Sequence, residues 1–118
     1  MDETIKFEKL ISSLITETLT DNIKWSIEKP PYLLTNSTDD FYPLFITALY
    51  RNTKIGLYEQ RYKSYISEDE WSWSTRIGLC IYKDDYISYR YEKRSPALKD
   101  LFFKVAEKTS GIDNLIDW

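Results

Sequence analysis

Trp71–Tyr91, WSWSTRIGLCIYKDDYISYRY, decides the fold. It reads as two long strands joined by a tight turn at Lys83-Asp84-Asp85. Opposite residues of an antiparallel pair share a face, and a one-residue slip turns every side chain over. A three-residue loop at 83–85 sets Ile81 opposite Ile87, Leu79 opposite Tyr89 and Ile77 opposite Tyr91. The other face then pairs Tyr82 with Tyr86, Cys80 with Ser88 and Arg76 with Glu92. Apolar meets apolar, and the long charged pair has opposite signs. A two-residue loop would set Leu79 against Arg90 and Ile77 against Glu92, so the first register is preferred. Asp tolerates the left-handed backbone such loops need, although Gly is more usual.

Upstream, residues 41–50, FYPLFITALY, are apolar on both parities, as in a strand covered on both sides. Residues 54–65, KIGLYEQRYKSY, form the next strand. A three-residue turn at Arg51-Asn52-Thr53 pairs Leu49 with Ile55, Thr47 with Leu57 and Ile46 with Tyr58. A turn at Ser67-Glu68-Asp69-Glu70 brings Leu57 opposite Leu79 and Ile55 opposite Ile81. Separate turns thus agree on one inner face: Leu49, Ile55, Leu57, Ile77, Leu79, Ile81, Ile87 and Tyr89. Ile23–Glu28 alternates apolar and polar and makes a further half-buried strand. Pro30-Pro31 stops it, and 29–40, KPPYLLTNSTDD, reads as a loop.

Helices flank this meander. Residues 4–20 carry an apolar stripe at Phe7, Leu10, Ile11, Leu14 and Ile15, extended by Leu19. Ser95-Pro96 opens a second helix with a favoured cap and a favoured first residue. Leu98, Leu101, Phe102 and Val105 form its buried stripe, and Thr109-Ser110-Gly111 ends it. Ile112 to Trp118 reads as a short final helix with Leu115 and Ile116 packed down. The expected fold is α+β: a helix, a five-stranded antiparallel meander, a helix and a short helix, with the helices on one face of the sheet.

Composition narrows the function. A chain of 118 residues reads as one domain, able to bury roughly two thirds of its unfolded surface. Hydrophobic content of 42% and charged content of 30% fit a folded chain. A net charge of −3 and a pI near 5.0 argue against nucleic acid, whose backbone demands a positive surface. The single cysteine, Cys80, precludes an internal disulfide and suits a reducing cytoplasm. The start, MDETIKFEK, has no signal-peptide pattern, and no apolar run reaches the ~20 residues that span a bilayer. The chain has no histidine, which removes the commonest general base and metal ligand. Cys/His zinc sites and Ser-His or Cys-His nucleophiles cannot be assembled from it.

What remains points to binding. Glu68, Asp69, Glu70 and the pair Asp84, Asp85 read as solvated turns, because a calcium loop needs a longer ligand series. Cys80 has no adjacent base and reads as a small packed side chain. With the helices inside, Leu44, Ile46, Ala48, Tyr58, Tyr62, Tyr82 and Tyr86 would share the outer sheet face. That predicts a homodimer or a partner over this face, unless Tyr32, Leu33 and Leu34 of the 29–40 loop fold onto it. At the far end of the long hairpin, Arg61 meets Thr75, Lys63 meets Trp73 and Tyr65 meets Trp71. This tip should overhang the shorter helices, and its composition is that of a binding hot spot. The plain alternative is that Trp73 stacks on the Lys63 stem and only stiffens the arm.

The pattern resembles small uncharacterised bacterial and prophage proteins of α-β(meander)-α layout. The matching residues are Ile23 to Trp25, Leu98 to Val105 and Ile112 to Ile116. Secretion chaperones are similar in size and acidity but place a helix within the sheet, which this sequence lacks. The expected function is a non-enzymatic protein-binding adaptor or inhibitor of bacterial or phage origin, cytoplasmic and without cofactor. The rival is a small-ligand binder or enzyme using Tyr and carboxylate groups.

Overall fold

The computed structural model describes residues 3–36 and 38–111. Helix α1 spans Glu3–Leu19, β1 Ser26–Ile27, α2 Tyr32–Thr35, β2 Phe41–Tyr50, β3 Thr53–Tyr65, β4 Trp71–Lys83, β5 Tyr86–Tyr91 and α3 Pro96–Ser110. The fold is α+β, and its five strands pair antiparallel in chain order, β1-β2-β3-β4-β5. The expected final helix at 112–118 lies outside the described residues.

Both long helices form where their apolar stripes direct, and α3 also where its caps do. Ser95 Oγ accepts the Leu98 amide at 3.1 Å, and Pro96 follows it. Gly111 closes α3 in the left-handed conformation, φ 73°. The same Ser95 hydroxyl donates to the Glu8 carboxylate at 2.8 Å, and Lys108 meets Asp21 at 2.6 Å. Like ends of α1 and α3 are therefore tied, so the two helices run side by side in one direction. Leu19 does not extend the α1 stripe: the chain turns off at Asp21, φ 58°, and leaves Leu19 exposed.

Two apolar clusters hold the sheet. One joins Ile11 and Leu14 of α1 and Leu98, Leu101, Phe102 and Val105 of α3 to Ile46, Ala48, Ile55, Leu57, Leu79 and Tyr91. The other joins Leu34 of α2 to Tyr42, Phe45, Tyr58 and Cys80. The β3–β4 ladder is the expected one without a slip, from Ile55↔Ile81 through Leu57↔Leu79 to Tyr65↔Trp71.

Its two neighbours differ from expectation. The β2–β3 turn has two residues, Arg51 and Asn52, with φ 49° and 63°, so Tyr50 pairs with Thr53 and Ala48 with Ile55. Positive φ at both central residues is the primed turn that matches strand twist. One residue fewer in the loop turns β2 over: Ile46 and Ala48 enter the helix-bearing cluster, and Leu49 leaves the inner face at 66% exposure. Pro43 sits at an irregularity between Phe41 and Leu44, where a missing N–H is tolerated.

The β4–β5 turn is also two residues long, with Lys83↔Tyr86, and Ser88 is then a bulge. Tyr82 pairs with Ile87 but Ile81 with Tyr89, Cys80 with Arg90 and Leu79 with Tyr91. The bulge restores the face that the short loop would have lost, so Tyr89 and Tyr91 still share a side with Leu79. Both stack on Phe7 of α1, with ring centroids 5.0 and 4.9 Å away. Ile87 moves to the opposite cluster beside Tyr82. The expected strand at 23–28 shrinks to Ser26–Ile27, because Trp25 turns to α1 and donates its Nε1–H to Thr18 Oγ1 at 3.1 Å.

Candidate functional site

The far half of the β3–β4 hairpin extends past the clusters. Lys63↔Trp73 and Tyr65↔Trp71 place five side chains of the expected hot spot on one face, with Arg61 opposite Thr75. The rings hold one another. Trp71 and Trp73 meet edge to face at 5.3 Å, and Phe41 meets Trp73 the same way at 5.2 Å. The cations also sit over rings: Lys63 Nζ is 4.6 Å from the Trp71 centroid, and Arg61 lies 5.8 Å above Phe41. The plain reading set the Lys63 stem against Trp73; its ammonium lies over Trp71 and pairs with Asp39 at 3.2 Å. Despite these contacts, Trp71 keeps 42%, Trp73 46%, Tyr65 60% and Ile66 78% of its surface in solvent.

The outer-face set does not survive as one surface. Leu44 and Ile46 pack in the helix-bearing cluster, because β2 is turned over by its two-residue loop. Ala48 follows them. Tyr58 and Cys80 do lie on the other face, fully buried, with Leu34 of the 29–40 segment packed against them. Tyr62 and Tyr82 are half-buried and Tyr86 is exposed. Tyr32 and Leu33, expected to join Leu34, remain exposed. The apolar expanse that predicted a dimer through this face is thus broken up.

The same face carries a polar network of which strand-by-strand reading anticipated only the Arg76–Glu92 pair, here 4.0 Å apart. Tyr58 donates to Glu92 at 2.7 Å, and Arg90 reaches the Tyr58 oxygen at 3.3 Å and Glu92 at 2.8 Å. Arg76 donates to Gln60 Oε1 at 2.8 Å, and Gln60 donates to Asp40 at the same distance. Burial pushes the Tyr58 hydroxyl well above its ordinary range. Burial likewise raises the Cys80 thiol to about 12, so it is no nucleophile at neutral pH. Burial opposes the charge on Arg90, but its bonds to Tyr58 and Glu92 outweigh that and hold it protonated. A further sequence signal for this network was Gly78 within a strand. A Cβ there would fall 2.3 Å from Tyr58 Cζ, so only glycine lets the ring lie flat on β4.

A groove of about 840 Å³ runs between β4 at 75–77, the link at 92–95 and α3. Ile77, Leu98, Phe102 and Phe103 make its apolar wall, and Lys93, Arg94 and Lys99 stand at its rim. Among the described residues, no three carboxylates or thiols converge as a metal site, and no helix is long and apolar enough to cross a membrane. No family model, curated protein or solved structure matches the chain.

Proposed function

We propose that the chain is a non-enzymatic protein-binding adaptor or inhibitor whose binding element is the β3–β4 arm. One observation carries this reading: Trp71, Trp73 and Tyr65 sit half in solvent on a continuously paired hairpin, beside Lys63 and Arg61. Aromatic side chains already ordered in the free protein lose little entropy on binding, and they dominate interface energies. The enzyme or ligand-binding alternative has less support. Its best groups, Tyr58 and Glu92, bond to one another and to Arg90, and Tyr58 is fully buried. A single buried thiol suits a reducing compartment such as a bacterial or phage-infected cytoplasm.

The test is the pair of substitutions Trp71→Ala and Trp73→Ala, with melting temperature and partner capture from the native host measured together. Lost capture with an unchanged melting temperature supports the reading. A drop of several kcal/mol, as for a core aromatic, sinks it.

A further inference from the structure

Strand β4 runs from Trp71 to Lys83, but β5 pairs only with Leu79–Lys83. From 71 to 77 the strand has β3 on one side and, among the described residues, no strand on the other. A free edge offers a ladder of backbone donors and acceptors, which proteins usually blunt with Pro, Lys or inward charge. The stretch WSWSTRI has no Pro and one charge, Arg76, which is held aside by Gln60.

We propose that this edge pairs with the same edge of a second copy, antiparallel about a two-fold axis at Ser74. The two sheets then join as one. The proposal rests on the arm being the binding element and names what it binds. Only a register in which paired numbers sum to an even value keeps like faces together. Centring on Ser74 uses the whole free edge, setting Trp71 against Ile77, Trp73 against Thr75 and Ser72 against Arg76. No like charges are opposed.

The surroundings match that register. Ile77 belongs to the groove wall, so the second copy's Trp71, one strand spacing of ~4.8 Å away, enters the groove toward Phe102 and Phe103. Beyond Trp71 lies the acidic turn Glu68-Asp69-Glu70, in a chain whose net charge is −3. It arrives where β5 ends, at Lys93 and Arg94, with Lys99 beside them on the rim, while Glu92 of the same lining is paired with Arg90 at 2.8 Å. The two-fold axis makes each contact twice. Backbone ladder, aromatic anchor and charge complementarity thus all follow from one operation.

Charge reversal tests it by sedimentation velocity on the full chain. One variant carries Glu68→Lys, Asp69→Lys and Glu70→Lys; the other carries Lys93→Glu, Arg94→Glu and Lys99→Glu. The wild type is expected to dimerise, each variant alone to dimerise at least ~10-fold more weakly, and an equimolar mixture to recover wild-type affinity. Should a reversed variant fail to fold, Ser74→Cys gives an independent reading. Opposite residues lie close enough for a disulfide, so it should link two copies on oxidation while Ser72→Cys should not. Cys80 is buried and does not interfere. A wild type that stays monomeric overturns the proposal, and so does a dimer that ignores both reversals and fails to link at 74. A monomer whose Trp71→Ala and Trp73→Ala forms melt normally removes the second copy but leaves the arm as a binding element. Collapse of those forms removes the arm reading itself.

Discussion

The root and the arm of one hairpin make the most informative contrast in the molecule. Both halves belong to β3 and β4 and share one unbroken ladder from Ile55↔Ile81 to Tyr65↔Trp71. At the root, Leu57 and Leu79 meet the helix-bearing cluster, while Tyr58 and Cys80 meet Leu34 and Phe45 on the other side. In the arm, nothing comparable covers Tyr65, Trp71 or Trp73. The reason is length. Seventeen residues of α1 reach about 25 Å, while thirteen residues of β3 reach about 43 Å. Strand pairing therefore extends well beyond the core that stabilises it, and identical backbone geometry gives a structural half and a presenting half.

The sharpest way to break this contrast is a matched pair of truncations. Leu79→Ala should cost about 3–4 kcal/mol in chemical denaturation, because Leu79 is fully buried between two layers. Trp73→Ala removes a larger side chain yet should cost less than about 1 kcal/mol, since half of it already lies in water. Equal losses would mean that the arm is part of the core.

Gly78→Ala comes next. Its methyl would collide with a Tyr58 ring that Phe45 stacks against at 5.8 Å and Tyr42 edges at 5.5 Å, so the ring has nowhere to go. A loss of about 2–3 kcal/mol is expected from thermal melts. Thr75→Ala in the arm, which is exposed, should stay within about 0.5 kcal/mol.

Alkaline pH should weaken the root. Burial raises the Cys80 thiol from 9.0 to about 12 in the folded state and raises Tyr58 above 10.0. Below pH 9 both states keep these protons, so nothing changes. Above it the unfolded chain releases a proton that the folded chain retains, and stability falls by about 1.4 kcal/mol per pH unit for each such group. Cys80→Ala should remove the part of that slope between pH 9 and about 12, as read from denaturation midpoints at stepped pH. An unchanged slope would contradict the burial that defines the root.

The smallest effect probes the turns. Asn52→Gly relieves a non-glycine residue at φ 63° and should raise stability by a few tenths of a kcal/mol, measured by denaturant midpoint. A loss instead would show that the Asn52 side chain contributes more than the left-handed backbone costs.

These turns also explain what could be read in advance. The β3–β4 register was legible because its strands are long, and a one-residue slip would have put Leu57 and Leu79 on opposite faces. The flanking hairpins were not. Arg51-Asn52 and Asp84-Asp85 are primed-turn or tight-loop residues without glycine, so their length left no mark in the sequence. Strand β2 is apolar on both parities, so either face looked equally suited to the core. Ser88 was invisible as a bulge, although its hydroxyl now donates to the Ile81 carbonyl at 3.1 Å. The arm residues were found together because they follow from the legible register. Leu44, Ile46 and Ala48 left the outer-face set because β2 is turned over, while Tyr58 and Tyr82 kept their place in it. The network of Tyr58, Gln60, Arg90, Glu92 and Asp40 joins three separate segments, and no local spacing connects them.

Local chemistry determined the elements. Ser95-Pro96 and Gly111 bounded α3, 3.6-residue stripes marked both helices, and alternation with turn residues marked the strands in chain order. Tertiary structure decided which face of β2 met the helices, where β5 slipped by one residue, and which tyrosines were buried. Those choices cost little locally. They are settled by packing of side chains far apart in sequence, such as Ile46 against the helix-bearing cluster and Leu34 against Tyr58.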